Sequence, residues 1–233
     1  MKEILEHCQG EEEKGGIVIG GEFVALKNIA KDKVNNFEFK LDNYNFDRIE
    51  AIVHNHIGDH PYLSSFDRIA QVETGLPWWV VANGKIHKYK CVDLLRGREF
   101  EYGKYDCGTL IEDAYAVCGI NLRHYKRKTM EADEANSVII ERLPKLGFSK
   151  VSSAQPGDVI ATSMGGNPNH LALVLDEERI LHHVAGQYSR VVAYGSVMKK
   201  RTHSIWRHKK WQSRMIEAIN YDLKASDYEE DNI

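Results

Sequence analysis

The run Ile52-Val53-His54-Asn55-His56-Ile57-Gly58-Asp59-His60-Pro61-Tyr62-Leu63-Ser64-Ser65-Phe66-Asp67 constrains this chain more than any other stretch. Side chains i and i+2 of a β-strand leave the same face, so a strand carrying His54 and His56 projects both imidazoles together. Ala51, Ile52 and Val53 lead into them, as in a buried strand that ends at the first histidine. Ser64 reads as a helix N-cap, followed by Phe66, Ile69, Ala70 and Val72 at helical spacing, with Gly75 and Pro77 as stop signals. Asp67 then falls in the first turn of a helix that a short loop can fold back onto the imidazoles. Two neutral imidazoles and one carboxylate, with a fourth place open to water, form the ligand set of a catalytic zinc ion, and these donors favour Zn2+ over other divalent ions. A plainer reading stands beside it. Ser64-x-x-Asp67 also satisfies a capping box, and a His-x-His pair by itself is common without a metal.

The complete spacing, His-x-His, seven residues, Ser, two residues, Asp, resembles the JAMM (Mov34/JAB) metalloprotease family. That resemblance implies His54, His56 and Asp67 as metal ligands and an upstream glutamate as general base, in a Glu-x-x-Gly motif that opens a strand. Glu13-Lys14-Gly15-Gly16 before Ile17-Val18-Ile19 fits, and anchoring on Gly16 selects Glu13, with Glu11 and Glu12 one or two residues away. Ser64, by the same resemblance, hydrogen-bonds the oxyanion or the water. Ile57 stands where many relatives carry proline, a change to the loop and not to the ligands.

A chain of 233 residues suits one large domain or two ordinary ones. Its 31 basic and 34 acidic residues leave a formal charge of -3, which implies no general affinity for nucleic acid. No stretch approaches the apolar length of a membrane span, and the N-terminus lacks a signal-peptide core. The four cysteines, at 8, 91, 107 and 118, have neither disulfide-scaffold nor zinc-finger spacing, which favours synthesis in a reducing cytosol. The first segment reads as a short helix, then strands at 16–19 and 22–27 joined across Gly20-Gly21. Phe37 to Leu41 alternates like a strand, and Phe46 to Ile49 suits a turn or short helix. Trp78 to Val81 is a buried strand whose tryptophans read as core, followed by an Asn83-Gly84 turn and a strand at 85–89. These elements make a first mixed domain, residues 1–93.

A second unit, 94–209, has its own chemistry. Asp106 is a suitable N-cap for a helix with Leu110, Ile111, Ala114 and Tyr115 on one stripe, ending at Gly119. Cys107 is then in the first turn, where a helix dipole and a nearby imidazole lower a thiol's pKa. Gln155-Pro156-Gly157-Asp158 turns into a strand, Gly165 to Asn169 is a loop, and His170 opens the next strand. Arg179 to His182 follows across Asp176-Glu177-Glu178, a hairpin that sets His182 beside His170. Thiol, imidazole base and an orienting polar group form a generalised catalytic triad.

Asp-Cys at a helix start, Gly-Asp-Val before a strand, Asn-His opening the following strand and a histidine twelve residues on are similar to the NlpC/P60 cysteine peptidases. The resemblance implies a papain-like fold and hydrolysis of peptide stems in bacterial peptidoglycan, with Cys107 as nucleophile, His170 as general base and His182 as orienting residue. His183 competes for the last role, but alternation turns it to the other face. The family's common upstream tyrosine falls at Phe100, where Tyr102 or Tyr105 is the available substitute. A JAMM-like unit followed by an NlpC/P60-like unit, with both domains of mixed α and β structure, resembles the tail assembly protein K family of long-tailed bacteriophages over residues 10 to 208. The implied partners are peptidoglycan and phage tail-tip proteins. The implied location is the host cytoplasm during assembly and the tail tip of the virion. Residues 210–233 hold a short amphipathic stretch, Met215 to Ile219, and then read as an acidic, disordered tail. Two other classes stay open: a structural tip component with vestigial sites, and a bacterial cytosolic isopeptidase acting through the first domain.

Overall fold

The computed structural model describes residues 1–124, 140–163 and 168–230. The first three residues of the expected 165–169 loop and the last acidic residue, Asp231, lie outside the described residues. The chain divides into two compact units, Met1–Asp93 and Leu94–Ile233, each of mixed α and β structure with its own sheet. Among the described residues no helix is long and apolar enough to cross a membrane.

Unit 1 opens with α1 (Lys2–His7) and the hairpin β1 (Gly15–Ile19) and β2 (Glu22–Leu26). Gly20 and Gly21 both take positive φ, 60° and 79°, as the tight turn between them requires. After a 3-10 turn at Phe46–Arg48 come β3 (Ile49–Asn55), α2 (Ser65–Thr74), β4 (Trp78–Ala82) and β5 (Lys85–Tyr89). The sheet order is β2-β1-β3-β4-β5, with β3 and β4 parallel and joined through α2. Ile4 and Cys8 of the N-terminal segment pack on Val18, Ala51, Val53 and Val81 to form the core of one face. At Gly15 and Gly16 the neighbouring strands leave no room for a side chain. A Cβ on Gly15 would sit 2.1 Å from the Val53 carbonyl oxygen, and one on Gly16 2.1 Å from that of Val24.

Two expectations for unit 1 change. Phe37 to Leu41 forms no strand. The alternation there serves ring packing: Phe37 and Phe39 stack on each other, Phe37 on His54 and Phe39 beside Trp78. The segment is pinned by Asn28, whose Oδ1 accepts from Glu38 N, instead of by a ladder. In α2 the buried face is Ser65, Arg68 and Gln71, while Phe66 is exposed. Arg68 is satisfied by Gln71 and by the Val92 carbonyl, so a guanidinium takes the inner position that the apolar spacing had assigned to Phe66 and Ile69.

Unit 2 contains α3 (Cys107–Val117), β6 (Phe148–Val151), β7 (Val159–Thr162), β8 (His170–Val174), β9 (Arg179–His182), β10 (Arg190–Ala193), α4 (Ser196–Arg201), β11 (Thr202–His208) and α5 (Ile216–Glu230). Its sheet runs β10-β9-β8-β7-β11-β6, with every neighbour antiparallel. Helix α3 packs on β8, and α5 packs on α3. Asp158 is fully buried and held by two hydrogen bonds from Arg207, at 2.8 and 2.7 Å.

The expected disordered tail is instead a fifteen-residue helix of this unit. Ala218, Ile219, Asp222, Ala225 and Ser226 recur at helical spacing and are buried. Asp222 is not a solvated charge: its carboxylate accepts from Leu95 N at 2.8 Å, inside the core. Acidic composition suggested a solvated end, whereas the small residues among the acids supply a packing face.

Candidate functional sites

In unit 1, β3 carries His54 and ends at Asn55, so His56 lies just beyond the strand. His54 lies directly across from Gly15 of β1, and Asn55 ties the two strands again: its Oδ1 accepts from Lys14 N at 2.6 Å and its N donates to Lys14 O at 3.0 Å. This stitching sets Glu13, which immediately precedes them, at the histidine end of the sheet. Glu13 is 7% exposed, whereas Glu11 and Glu12 are open to solvent. Burial pushes its carboxyl up to about 7, with the His56 charge opposing and Asp67 reinforcing that rise.

The structure brings His54, His56 and Asp67 together. His54 Nε2 is 3.3 Å from Asp67 Oδ1, His56 Nε2 is 3.2 Å from Asp67 Oδ2, and the two Nε2 atoms are 2.9 Å apart. One ligand atom from each residue falls within a 4.8 Å cluster. His56 Nδ1 lies 3.0 Å from the His60 carbonyl oxygen. A carbonyl oxygen only accepts, so Nδ1 carries a hydrogen, and Nε2 is the ring nitrogen turned to the Asp67 carboxylate. Burial alone would raise the Asp67 carboxyl. The two imidazoles overcome it and hold the group well below the usual carboxylate range. Asp67 serves the helix as well: its Oδ2 accepts from Ser64 N at 2.7 Å while Ser64 Oγ accepts from Asp67 N at 3.2 Å. The capping box and the cluster therefore share one carboxylate, and Ser64 is held in the cap beside it.

In unit 2, Asp106 caps α3, accepting from Gly108 N and Thr109 N at 2.9 and 3.0 Å, so Cys107 is the first residue of the helix. Helix α3 packs on β8, the strand that His170 opens. His170 Nε2 is 3.3 Å from His182 Nδ1, the rings meeting nearly edge to face. His182 pairs with Ala172, two residues beyond His170, so alternation puts the two histidines on one face of adjacent strands. His183 is turned away and packs edge-on against Phe100. Phe100, at the position of the family's common tyrosine, thus packs its ring on His183 and offers no hydroxyl there.

Burial lowers His170 to about 4, with His182 and His183 adding to the shift, so it stays neutral and able to take a proton. Burial also lowers His182. The other thiols are unsuited to nucleophilic work: burial pushes Cys8 up to about 12 and raises Cys91 and Cys118 as well.

Residues 97–207 match the NlpC/P60 family. The chain as a whole is similar to tail tip assembly protein K of Escherichia phage lambda, with 40% identity over 181 residues that span 76% of this chain and 91% of that protein. It is also similar to tail tip assembly protein K of Escherichia phage N15, at 25% identity over 201 residues, 80% of this chain and 82% of that protein. The chain belongs to the tail tip assembly protein K family.

Some contributors were not visible in sequence. Phe37 lies parallel to the His54 ring at 6.0 Å, and Trp78 meets that ring edge-on at 5.5 Å. Phe37 is seventeen residues from His54, so only the fold joins them. Arg190, directly across from His182 on β10, was hidden in the same way; register, once known, is the signal that finds it.

Proposed function

We propose that this chain is a tail-tip assembly protein whose second unit hydrolyses the peptide stems of bacterial peptidoglycan. The observation that supports the reading is the His170–His182 contact of 3.3 Å on adjacent strands, with Cys107 at the start of the helix packed on β8. His170, neutral at physiological pH, takes the Cys107 proton. The thiolate attacks the scissile carbonyl, and His170 returns the proton to the leaving amine. A thioester to Cys107 forms, and water activated by His170 then releases the acid. His182 fixes the imidazole's orientation. The test uses purified sacculi and the full chain. Wild type should release soluble stem fragments, His170→Ala should release them about 10²–10⁴-fold more slowly, and Cys107→Ala not measurably. Unchanged release by Cys107→Ala removes this mechanism.

A second reading applies to unit 1. The convergence of His54, His56 and Asp67, with the His56 ring oriented by the His60 carbonyl so that Nε2 faces inward, supports a JAMM-like zinc site with peptidase or isopeptidase activity. The donor set fits: two imidazoles and one carboxylate leave room for further ligands. Zinc held there supplies Lewis acidity toward a carbonyl oxygen and lowers the pKa of water. Glu13, buried and adjacent in sequence to the strand stitched to Asn55, is the proton acceptor. Ser64 steadies the Asp67 carboxylate through the cap. Candidate bonds are peptide or isopeptide links in tail proteins and cross-bridges of the wall. Glu13→Gln should retain zinc yet lose peptide cleavage; loss of zinc with unchanged cleavage of the same peptide refutes the assignment.

A further inference from the structure

Glu13 and the ring packed on His54 reach the unit 1 site from different parts of the chain, and one side chain joins them. Asn28 follows β2 and opens the irregular segment that runs through Phe37 and Phe39. A primary amide offers two donor hydrogens and one oxygen with two lone pairs, and Asn28 uses all four. Its Nδ2 donates to the Glu13 carbonyl oxygen at 2.8 Å and to the Asn36 carbonyl oxygen at 2.8 Å. Its Oδ1 accepts from Ala30 N at 3.0 Å and from Glu38 N at 3.2 Å. Two carbonyls call for the NH2 and two N–H groups for the oxygen, so the partners fix which way the amide points. Asn36 and Glu38 flank Phe37, whose ring lies parallel to His54 at 6.0 Å. Glu13 lies just past the stitching of Lys14 to Asn55, before β1 begins. Its N donates to the Lys33 carbonyl oxygen at 2.6 Å, so both of its main-chain polar groups are tied to this one segment.

We propose that Asn28 is a positioning residue for the unit 1 site, its NH2 fixing where Glu13 stands and its oxygen holding the Phe37 segment against His54. The inference rests on the zinc peptidase reading of unit 1 and adds how the proton acceptor and a metal ligand are kept in register. Asn28 touches neither metal nor substrate in this scheme. It acts through Glu13 on the proton transfer, and through Phe37 on the ligand. The two actions use different atoms of one amide, so they come apart on substitution. Aspartate in its place keeps both acceptor bonds and loses both donor bonds, whereas alanine loses all four.

The experiment uses full-length Cys107→Ala protein as parent, so that all cleavage belongs to unit 1. Zinc affinity is read by competition with a chromophoric chelator. Cleavage is read with a library of quenched peptides that includes lysine-branched members, and kinetics follow on one peptide that the zinc-loaded parent cuts. Asn28→Asp and Asn28→Ala are made on this background and shown by thermal unfolding to be folded. Asn28→Asp should lower kcat about tenfold with KM unchanged, and bind zinc within about twofold of the parent. Asn28→Ala should lower kcat as much and also bind zinc about tenfold more weakly. Adding Phe37→Ala to Asn28→Ala should weaken zinc binding no further, since both changes free the same ring; a role confined to the fold would make the losses add. Asn28→Asp with the parent's kcat, or Asn28→Ala with the parent's zinc affinity, overturns the proposal. The aspartate variant decides alone if the alanine variant does not fold. Failure of the underlying reading has a different signature. A parent that binds no zinc, a parent that cuts no member of the library, or Glu13→Gln protein that cuts as the parent does rejects the zinc peptidase, and the proposal with it.

Discussion

Each unit of this chain sets two imidazoles about 3 Å apart, and the two pairs have opposite surroundings. In unit 1 the histidines stand two apart at the end of one strand, His54 on it and His56 just past it, and share a carboxylate, Asp67, within 3.3 Å of each ring. In unit 2 they stand on neighbouring strands and face each other at 3.3 Å, flanked by Arg190. A carboxylate between two rings concentrates negative charge and lone pairs, which suits a cation. A second imidazole and an arginine beside a buried ring disfavour its protonated form, which suits a neutral base. The fold places nearly the same side chains in both, and the third partner decides what the pair does.

The largest expected effect separates the two sites outright. Cys107→Ala should abolish release of wall peptides, a loss on the order of 10³-fold or more, while the zinc content of the purified protein stays as in wild type. Release assays and elemental analysis on one preparation check both halves. A fall in metal content would show that the sites are not independent. The converse variant, His56→Ala, should weaken zinc binding by more than ~10²-fold, beyond what losing an outer partner costs, and leave wall-peptide release intact. Competition with a chromophoric chelator reads the first quantity. Undiminished zinc affinity would return His54, His56 and Asp67 to a helix cap with incidental histidines.

What sequence revealed and concealed divides along the same line. The His-x-His-to-Asp spacing and the Asp-Cys and Asn-His pairs are local, so strand alternation and helix capping were enough to position Asp67 in a first turn and Cys107 at a helix start. Partners fixed by strand register were not legible: Phe37 against His54, and Arg190 across from His182. Composition misled where burial depended on a few small residues. The end of the chain is acidic, yet Ala218, Ile219 and Ala225 give it a packing face, and Asp222 is buried with a backbone donor from a residue 127 positions earlier. The α2 stripe misled for a related reason, since Arg68 finds carbonyl partners inside and so outcompetes Phe66 for the interior.

The acid behaviour of unit 2 tests whether its pair is a neutral one. Burial holds folded His170 at about 4, against 6.5 as the ordinary value. Between these two pH values the unfolded chain binds the proton and the folded one does not, so stability rises with pH through the window from 4 to 6.5 and is level above it. The group's stabilising contribution, present above pH 6.5, is lost on acidification, with a magnitude on the order of 3 kcal/mol. Urea unfolding at a series of pH values should show this slope in wild type and a shallower one in His170→Asn. Identical slopes would mean that His170 is protonated in the folded protein at mildly acid pH, and the contrast between the two pairs would lose its basis.

The smallest effect concerns how firmly the unit 1 pair is held. Phe37 lies parallel to the His54 ring, and the same ring blocks any side chain at Gly15, which faces His54 across the β1–β3 pairing. His54 Nδ1 has no hydrogen-bond partner among the described residues, so ring packing by Phe37 and Trp78 orients this imidazole where a second hydrogen bond would otherwise do so. His56, by contrast, has its orientation set by the His60 carbonyl. Removing Phe37 should therefore loosen one ligand and leave the other in place. Phe37→Ala is expected to weaken zinc binding by about tenfold, within the range for an outer-shell partner, with wall-peptide release unchanged. Phe37→Tyr, which keeps the stacked ring, should restore the affinity, and chelator competition measures both. An alanine variant with wild-type affinity would show that β3 alone fixes His54, and that the aromatic segment serves the fold without serving the site.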